Sequence, residues 1–343
     1  MRSWLSILLI CIKTYLGYGQ NTTKPLFQSN EIIEITLASN LKEIINDDDE
    51  QNAKYHPAVL SYNDGNSGPV NLNVKIKTRG HFRRLKENCN FPPLRIKFQD
   101  KETDTTIFNG QNKLKLVTSC RKANRKYEQF ILKEYYIYKI YNEITEISFR
   151  TRLVKINYID LERKIKNFST YAFFIEDEND LAERTGGKII ETQGIHQDAV
   201  DQKQMNELAV FEYLIGNTDW SVIKLHNIKL IVYENEFLIK PIPYDFDFCG
   251  LVNPPYTKPP EFLEIKHVTD RLYRGFCKPK DILEPTLNKF KEQRELIKGI
   301  FLSDTLMDIK EKERCLRYVD EFYDVLKNEK STEQEFYIKC RNN

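Results

Sequence analysis

Long apolar runs are nearly absent from this 343-residue chain. The one near the N-terminus, Trp4–Ile12, is far shorter than the roughly 20 residues a helix needs to cross a bilayer. Nothing later approaches that length, so no transmembrane span is expected in the mature chain. Basic runs are absent too. Lys and Arg total 52 against 50 Asp and Glu, and Arg2 and Lys13 both lie in a first segment that contains no acid. Without that segment the chain is neutral, which gives no ground for nucleic acid or an anionic membrane as its main partner. No CxxC and no Cys/His pair has zinc spacing, and the five histidines are scattered, so a structural zinc site is not expected. Repeats, low-complexity blocks and a GxGxxG loop are also missing. What remains is a folded chain, 41% hydrophobic, able to bury one large core or two moderate lobes.

The first segment, "MRSWLSILLICIKTYLGYGQ", has an early Arg2, an apolar run, and small residues at Gly17 and Gly19. That order fits a secretory signal peptide over residues 1–19, and hence a secreted, periplasmic or cell-envelope protein. Cleavage leaves Cys89, Cys120, Cys249, Cys277, Cys315 and Cys340, for which about 15 complete disulfide connectivities exist. Cys89 and Cys120 are the favoured pair, because both fall at loop ends of one sheet region. Free buried thiols are the alternative.

Two-residue alternation marks "EIIEITLASN", "VNLNVKIKTRGHFRR", "PPLRIKFQD", "NKLKLVTSC", "RTRLVKINYID" and "NFSTYAFFIED" as strands, while "NDDDEQNAKYHP" reads as a charged loop. Between the fourth and fifth strands, "RKYEQFILKEYYIYKIYNEI" takes helical spacing, with Glu134 on the apolar face beside Ile131 and Tyr138. A glutamate so placed needs a cationic partner, and Lys113 or Lys115 on the preceding strand is the expected one. "QDAVDQKQMNELAVFEYLIG" reads as a helix ended by Gly216. A hairpin turning near Glu234–Asn235 follows, and amphipathic helices run from about Glu261 to Lys327. The expected fold class is α+β and bilobal, an N-terminal antiparallel sheet with one inserted helix joined to a mainly helical second lobe that contains a hairpin. The expected division is 20–180 for a β-rich lobe and 181–343 for a helical lobe, with the crossover near Asp177–Thr185.

Two polar clusters flank that hairpin. "GNTDWSVIKLHN" carries Asn217, Asp219, His226 and Asn227, and "PIPYDFDFCG" carries Asp245 and Asp247. Buried carboxylates and carboxamides must be bonded or ligated, so the pair suggests a divalent cation with an anionic partner. Phosphoryl transfer needs a lysine on the phosphates, a carboxylate fixing it, an Asp and often an Asn on Mg²⁺, and an Asp at the acceptor hydroxyl. The chain offers Lys97, Lys113 or Lys115, then Glu134, Asp219, Asn227 and Asp245 or Asp247 in a compatible order. Arg79, Arg83 and Arg84 follow the second of these strands; an anion site there requires Arg79 on the inner face.

The run "NTDW…HN…PIPYDFDF", with "KTRGHFRR…FPPLRIKF" and "STYAFFIEDENDLAER" before it, resembles the CotH kinase family of secreted, atypical protein kinase-like proteins. The likeness spans roughly Lys75 to Gly250. It implies a bilobal kinase-like fold, ATP with Mg or Mn, and transfer to a protein (or glycan) hydroxyl in the cell envelope. On the matching motifs, Asp219 stands for the catalytic Asp, Asn227 for the metal-binding Asn and Asp245 for the metal-binding Asp, with Asp247 beside it. Arg79 would lie near the phosphates, Lys97 or Lys115 would bind the nucleotide, and Glu176 would lie beside the adenine. Two departures stand out. Eight positions separate Asp219 from Asn227, against about five in the usual kinase loop, and "DFDFCG" holds no true DFG. An inactive nucleotide- or metal-stabilised envelope binding protein and a nucleotidyltransferase are the alternatives.

Overall fold

A computed structural model describes residues 23–49, 52–65, 68–99, 101–234 and 237–342. The expected signal peptide lies outside the described residues. The first half runs β1 (Ile33–Ser39), α1 (Leu41–Asn46), β2 (His56–Asp64), β3 (Gly68–Thr78), β4 (Leu94–Phe98), β5 (Lys113–Val117), α2 (Arg125–Ile144), β6 (Thr151–Asp160) and β7 (Phe168–Ile175). These seven strands close into a barrel in the order β1-β2-β3-β4-β5-β7-β6. β1 and β6 seal it in parallel, while every other neighbouring pair is antiparallel. Parity demands this: around a closed ring an odd number of strands must include at least one parallel pair.

The closed mixed barrel overturns the expected bilobal kinase-like fold built on an antiparallel sheet. The strand missing from the sequence reading is β2. Its alternation, Ala58, Leu60 and Tyr62 inward, is masked by Pro57 and by an outward Val59. Each strand sends at least one fully buried side chain inward, among them Leu37, Leu60, Ile76, Ile96, Leu116, Ile156 and Phe174.

α2 begins where Asn124 accepts hydrogen bonds from the Lys126 and Tyr127 N–H groups. It packs outside the barrel, and its apolar face shares a second core with Phe173 of β7 and with the helices that follow. The elements after the barrel are α3 (Glu178–Thr185), β8 (Lys188–Ile190), α4 (Gln202–Ile215), β9 (Ile228–Tyr233), β10 (Leu238–Pro243), α5 (Lys280–Glu292), α6 (Arg294–Leu302) and α7 (Ile309–Lys327). The crossover out of the barrel is thus the helix α3. The hairpin β9–β10 forms as expected and gains β8 as a third strand; residues 235–236 of its turn lie outside the described residues. Gly216 ends α4 at φ +66°, and an added Cβ there would come within 1.9 Å of the Tyr318 hydroxyl. Regular helix resumes only at Lys280, later than expected, because residues 254–279 are turns and irregular chain. Cys89–Cys120 and Cys277–Cys340 are disulfides, and Cys249 and Cys315 are free and buried. Among the described residues no helix is long and apolar enough to cross a membrane.

Lys139 on α2 donates to Thr151 O (2.9 Å) and to Asn30 Oδ1 (2.8 Å). Burial, with Arg150 and Arg152 next, pushes its ammonium down to about 7, against roughly 10.4 in an unfolded chain. Between those values the unfolded state binds more protons than the folded one, so this residue makes stability rise with pH. Urea melts at pH 7 and pH 9.5 are expected to show wild type gaining stability relative to Lys139→Met as pH rises. A pH-independent difference would remove the effect.

Candidate functional site

Three segments meet beside α2 at one end of the barrel: the loop after β3 with Arg79 and Arg83, the loop after α4 with Asp219, and the turn after β10 with Asp245 and Asp247. They line a cavity of about 190 Å³ together with His226 and Asn227. Both predicted polar clusters therefore converge on one site.

The Asp219 loop is fixed from several sides. Asn217 Oδ1 accepts from the Asp219 N–H (3.0 Å), and Arg274 donates to the carbonyls of Thr218 and Trp220. The long spacing to Asn227 is absorbed by a tight turn. Ser221 and His226 pair through both backbone hydrogen bonds (2.9 and 3.0 Å), with Leu225 at φ +51°. Asn227, itself at φ +52°, then donates from Nδ2 to Asp219 O (2.8 Å) and to Asp219 Oδ2 (3.2 Å). Its amide oxygen is left as the atom that can serve a cation. His226 Nε2 lies 2.8 Å from Asp219 Oδ1, and that hydrogen bond raises the imidazole pKa.

Asp245 also takes a left-handed backbone, φ +64°, and its N–H donates to the Tyr138 hydroxyl on α2 (2.9 Å). Asn and Asp tolerate that conformation best among non-glycine residues, which gives the site residue types a backbone reason as well as a chemical one. Asp247 is buried and its Oδ2 lies 3.2 Å from Arg83 Nε. Burial, opposed by Arg83, pushes its carboxyl up to about 6. Glu134 is 1% exposed, Oε1 lacks a hydrogen-bond partner, and burial drives its pKa well above the usual carboxylate range. Arg83 is the largest influence opposing that rise.

The expected lysine–Glu134 bridge does not form. Lys115 instead lies 3.8 Å from Glu178 Oε2 at the start of α3, and Lys229 on β9 lies 2.9 Å from the same oxygen. Lys115 is partly buried, and desolvation followed by the field of Arg79 lowers its ammonium to about 8. Lys97 is exposed on β4, opposite Lys75 and Lys113, and does not line the cavity; Arg95, two residues earlier, faces Lys115. Glu176 is buried and fully engaged. Arg184 grips both its oxygens (2.9 and 3.0 Å), and the Arg150 N–H donates to it (3.0 Å), so it clamps the junction, and it lines neither cavity of the cleft. The sequence reading gives Arg83 and His226 no separate role and does not single out Lys229 or Glu178. The only signal for Arg83 was its nearness to Arg79.

The cleft is electrically polarised. At one end Glu134, Asp219, Asp245 and Asp247 are set against Arg83, with Arg79 at the boundary. At the other end Arg79, Arg95, Lys115 and Lys229 surround Glu178. Tyr244 joins the ends: its ring lies 5.3 Å from Lys115 Nζ and 5.9 Å from Lys229 Nζ, and the next residue is Asp245. Among the described residues no three His, Cys, Asp or Glu form a ready metal cage. Magnesium does not need one, because it commonly takes one or two protein carboxylates with phosphates and water. The all-oxygen donor set of Asp245, Asp247 and Asn227 fits that hard cation. No family model matches the chain, and no curated protein matches it.

Proposed function

We propose that the protein is a secreted atypical kinase of the CotH type that transfers the γ-phosphate of ATP to a protein hydroxyl with Mg or Mn. The observation that carries this reading is the polarised cleft, acidic at one end and cationic at the other, which matches the charge pattern of a metal–nucleotide complex. Asp245 and Asp247, with the Asn227 amide oxygen, would hold the metal. A divalent ion held there would offset the charge on the transferred group. Arg79 and Lys115 bind the phosphates. Asp219, oriented by His226 and Asn227, takes the acceptor proton. The two disulfides suit an oxidising compartment. The eight-residue spacing that favoured an inactive binding protein loses its force, because the intervening turn returns Asn227 to Asp219.

The test is label transfer by residues 20–343 with Mg or Mn, scored on the chain itself and on dephosphorylated casein. Label from γ-³²P-ATP alone is expected. Label from α-³²P-ATP would make the protein a nucleotidyltransferase, and none from either would leave a binding protein of the envelope.

A further inference from the structure

Lys115 and Lys229 come from different halves of the molecule, β5 and β9, yet reach the same carboxylate oxygen of Glu178 and flank the same Tyr244 ring. One acid needs one lysine; here two share it, with Arg79 and Arg95 adding to the field. Asp180 does not relieve the surplus, because its own carboxylate is held by Lys24 at 2.5 Å. Beside the pair lies a cavity of about 490 Å³ with a charged and amide lining. Concentrated positive charge that is partly withdrawn from water is costly until an anion arrives. The destabilised ammonium of Lys115 reports that cost. The pair also stands one residue, Tyr244, from the metal end of the cleft.

We propose that Lys229 is a second phosphate-binding lysine that acts with Lys115, and that Glu178 is the counter-ion which the phosphates displace. This rests on the reading of the cleft as a metal–nucleotide site. Lys229 then grips donor phosphate oxygens from the β9 side while Lys115 grips from the β5 side. Glu178 keeps both lysines extended towards the cavity when no ligand is bound.

The experiment is calorimetric titration of wild type, Lys229→Met, Lys229→Arg and Glu178→Gln with Mg–ATP and with Mg–tripolyphosphate. Thermal melts of the ligand-free variants establish that each is folded. Loss of one charge-assisted contact predicts that Lys229→Met weakens both ligands by about tenfold or more. Lys229→Arg is expected to retain most of the affinity, and Glu178→Gln to bind ATP more tightly than wild type. Unchanged affinity in Lys229→Met, or a loss for ATP without one for tripolyphosphate, would overturn the lysine pair while leaving the nucleotide reading in place. Equal or weaker ATP binding by Glu178→Gln would overturn its counter-ion role. Failure of wild type to bind either ligand would overturn both readings.

Discussion

Replacing Arg83 with methionine is expected to lower the unfolding free energy by about 3–5 kcal/mol, the range for removing one partner of a buried charge pair. Arg83 is 7% exposed, bonded to Asp247, and the strongest opposing influence on the burial of both Asp247 and Glu134. Burial alone pushes both carboxyls towards their neutral forms. Without the guanidinium the two acids are ionised at neutral pH only at high cost. The pH dependence has a definite sign. A carboxyl whose folded pKa is raised costs stability in full above that pKa, and the penalty shrinks as pH falls below it and is gone below the unfolded value. The deficit of Arg83→Met should therefore be largest at pH 7–8 and shrink towards pH 5, in urea melts made without divalent metal. Adding Glu134→Gln should recover part of the loss, because the two residues share one network. A deficit independent of pH, or a double mutant no better than the single, would mean that Arg83 acts through packing.

Asp219→Asn is expected to cut phosphate transfer by roughly 10²–10⁴, the usual contribution of a positioned base. The change preserves shape, and Asn217, His226 and Asn227 still surround the side chain. Affinity for Mg–ATP should be nearly unchanged, since Asp245, Asp247, Arg79 and Lys115 lie on other segments and Asn227 keeps its bond to the Asp219 backbone carbonyl. Single-turnover transfer and equilibrium binding, measured on the same preparation, separate the two effects. Equal losses of binding and transfer would move Asp219 from proton acceptor to nucleotide ligand.

How much could be read from the sequence varied with the range of the interaction. The bounds of α2 were legible because helical spacing starts directly after the capping Asn124. Six strands were legible through alternation, but β2 was not, with Pro57 at its start. Barrel closure could not be read at all. Alternation says which face a residue takes, never which strand lies beside it, and the parallel pairing of β1 with β6 joins residues more than a hundred apart. The convergence of Asp219, Asn227, Asp245 and Asp247 was foreseen because such residues between aromatics have few other uses. The partner of Glu134 was misassigned for a physical reason. The short helical turn Phe82–Arg84 buries arginines that, in sequence, look like a solvated edge. Lys229 and Glu178 look like ordinary strand and helix-start residues, and only the fold brings them to Lys115.

The most direct measurement is a thermal-melt titration of residues 20–343 with ATP and Mg or Mn, with Asp245→Ala beside wild type. At about 100 times its dissociation constant a ligand adds about 2.7 kcal/mol to stability. A polarised metal–nucleotide cleft predicts a rise in Tm that requires both metal and ATP and vanishes in Asp245→Ala. No shift with any nucleotide, or the same shift in the mutant, would contradict it.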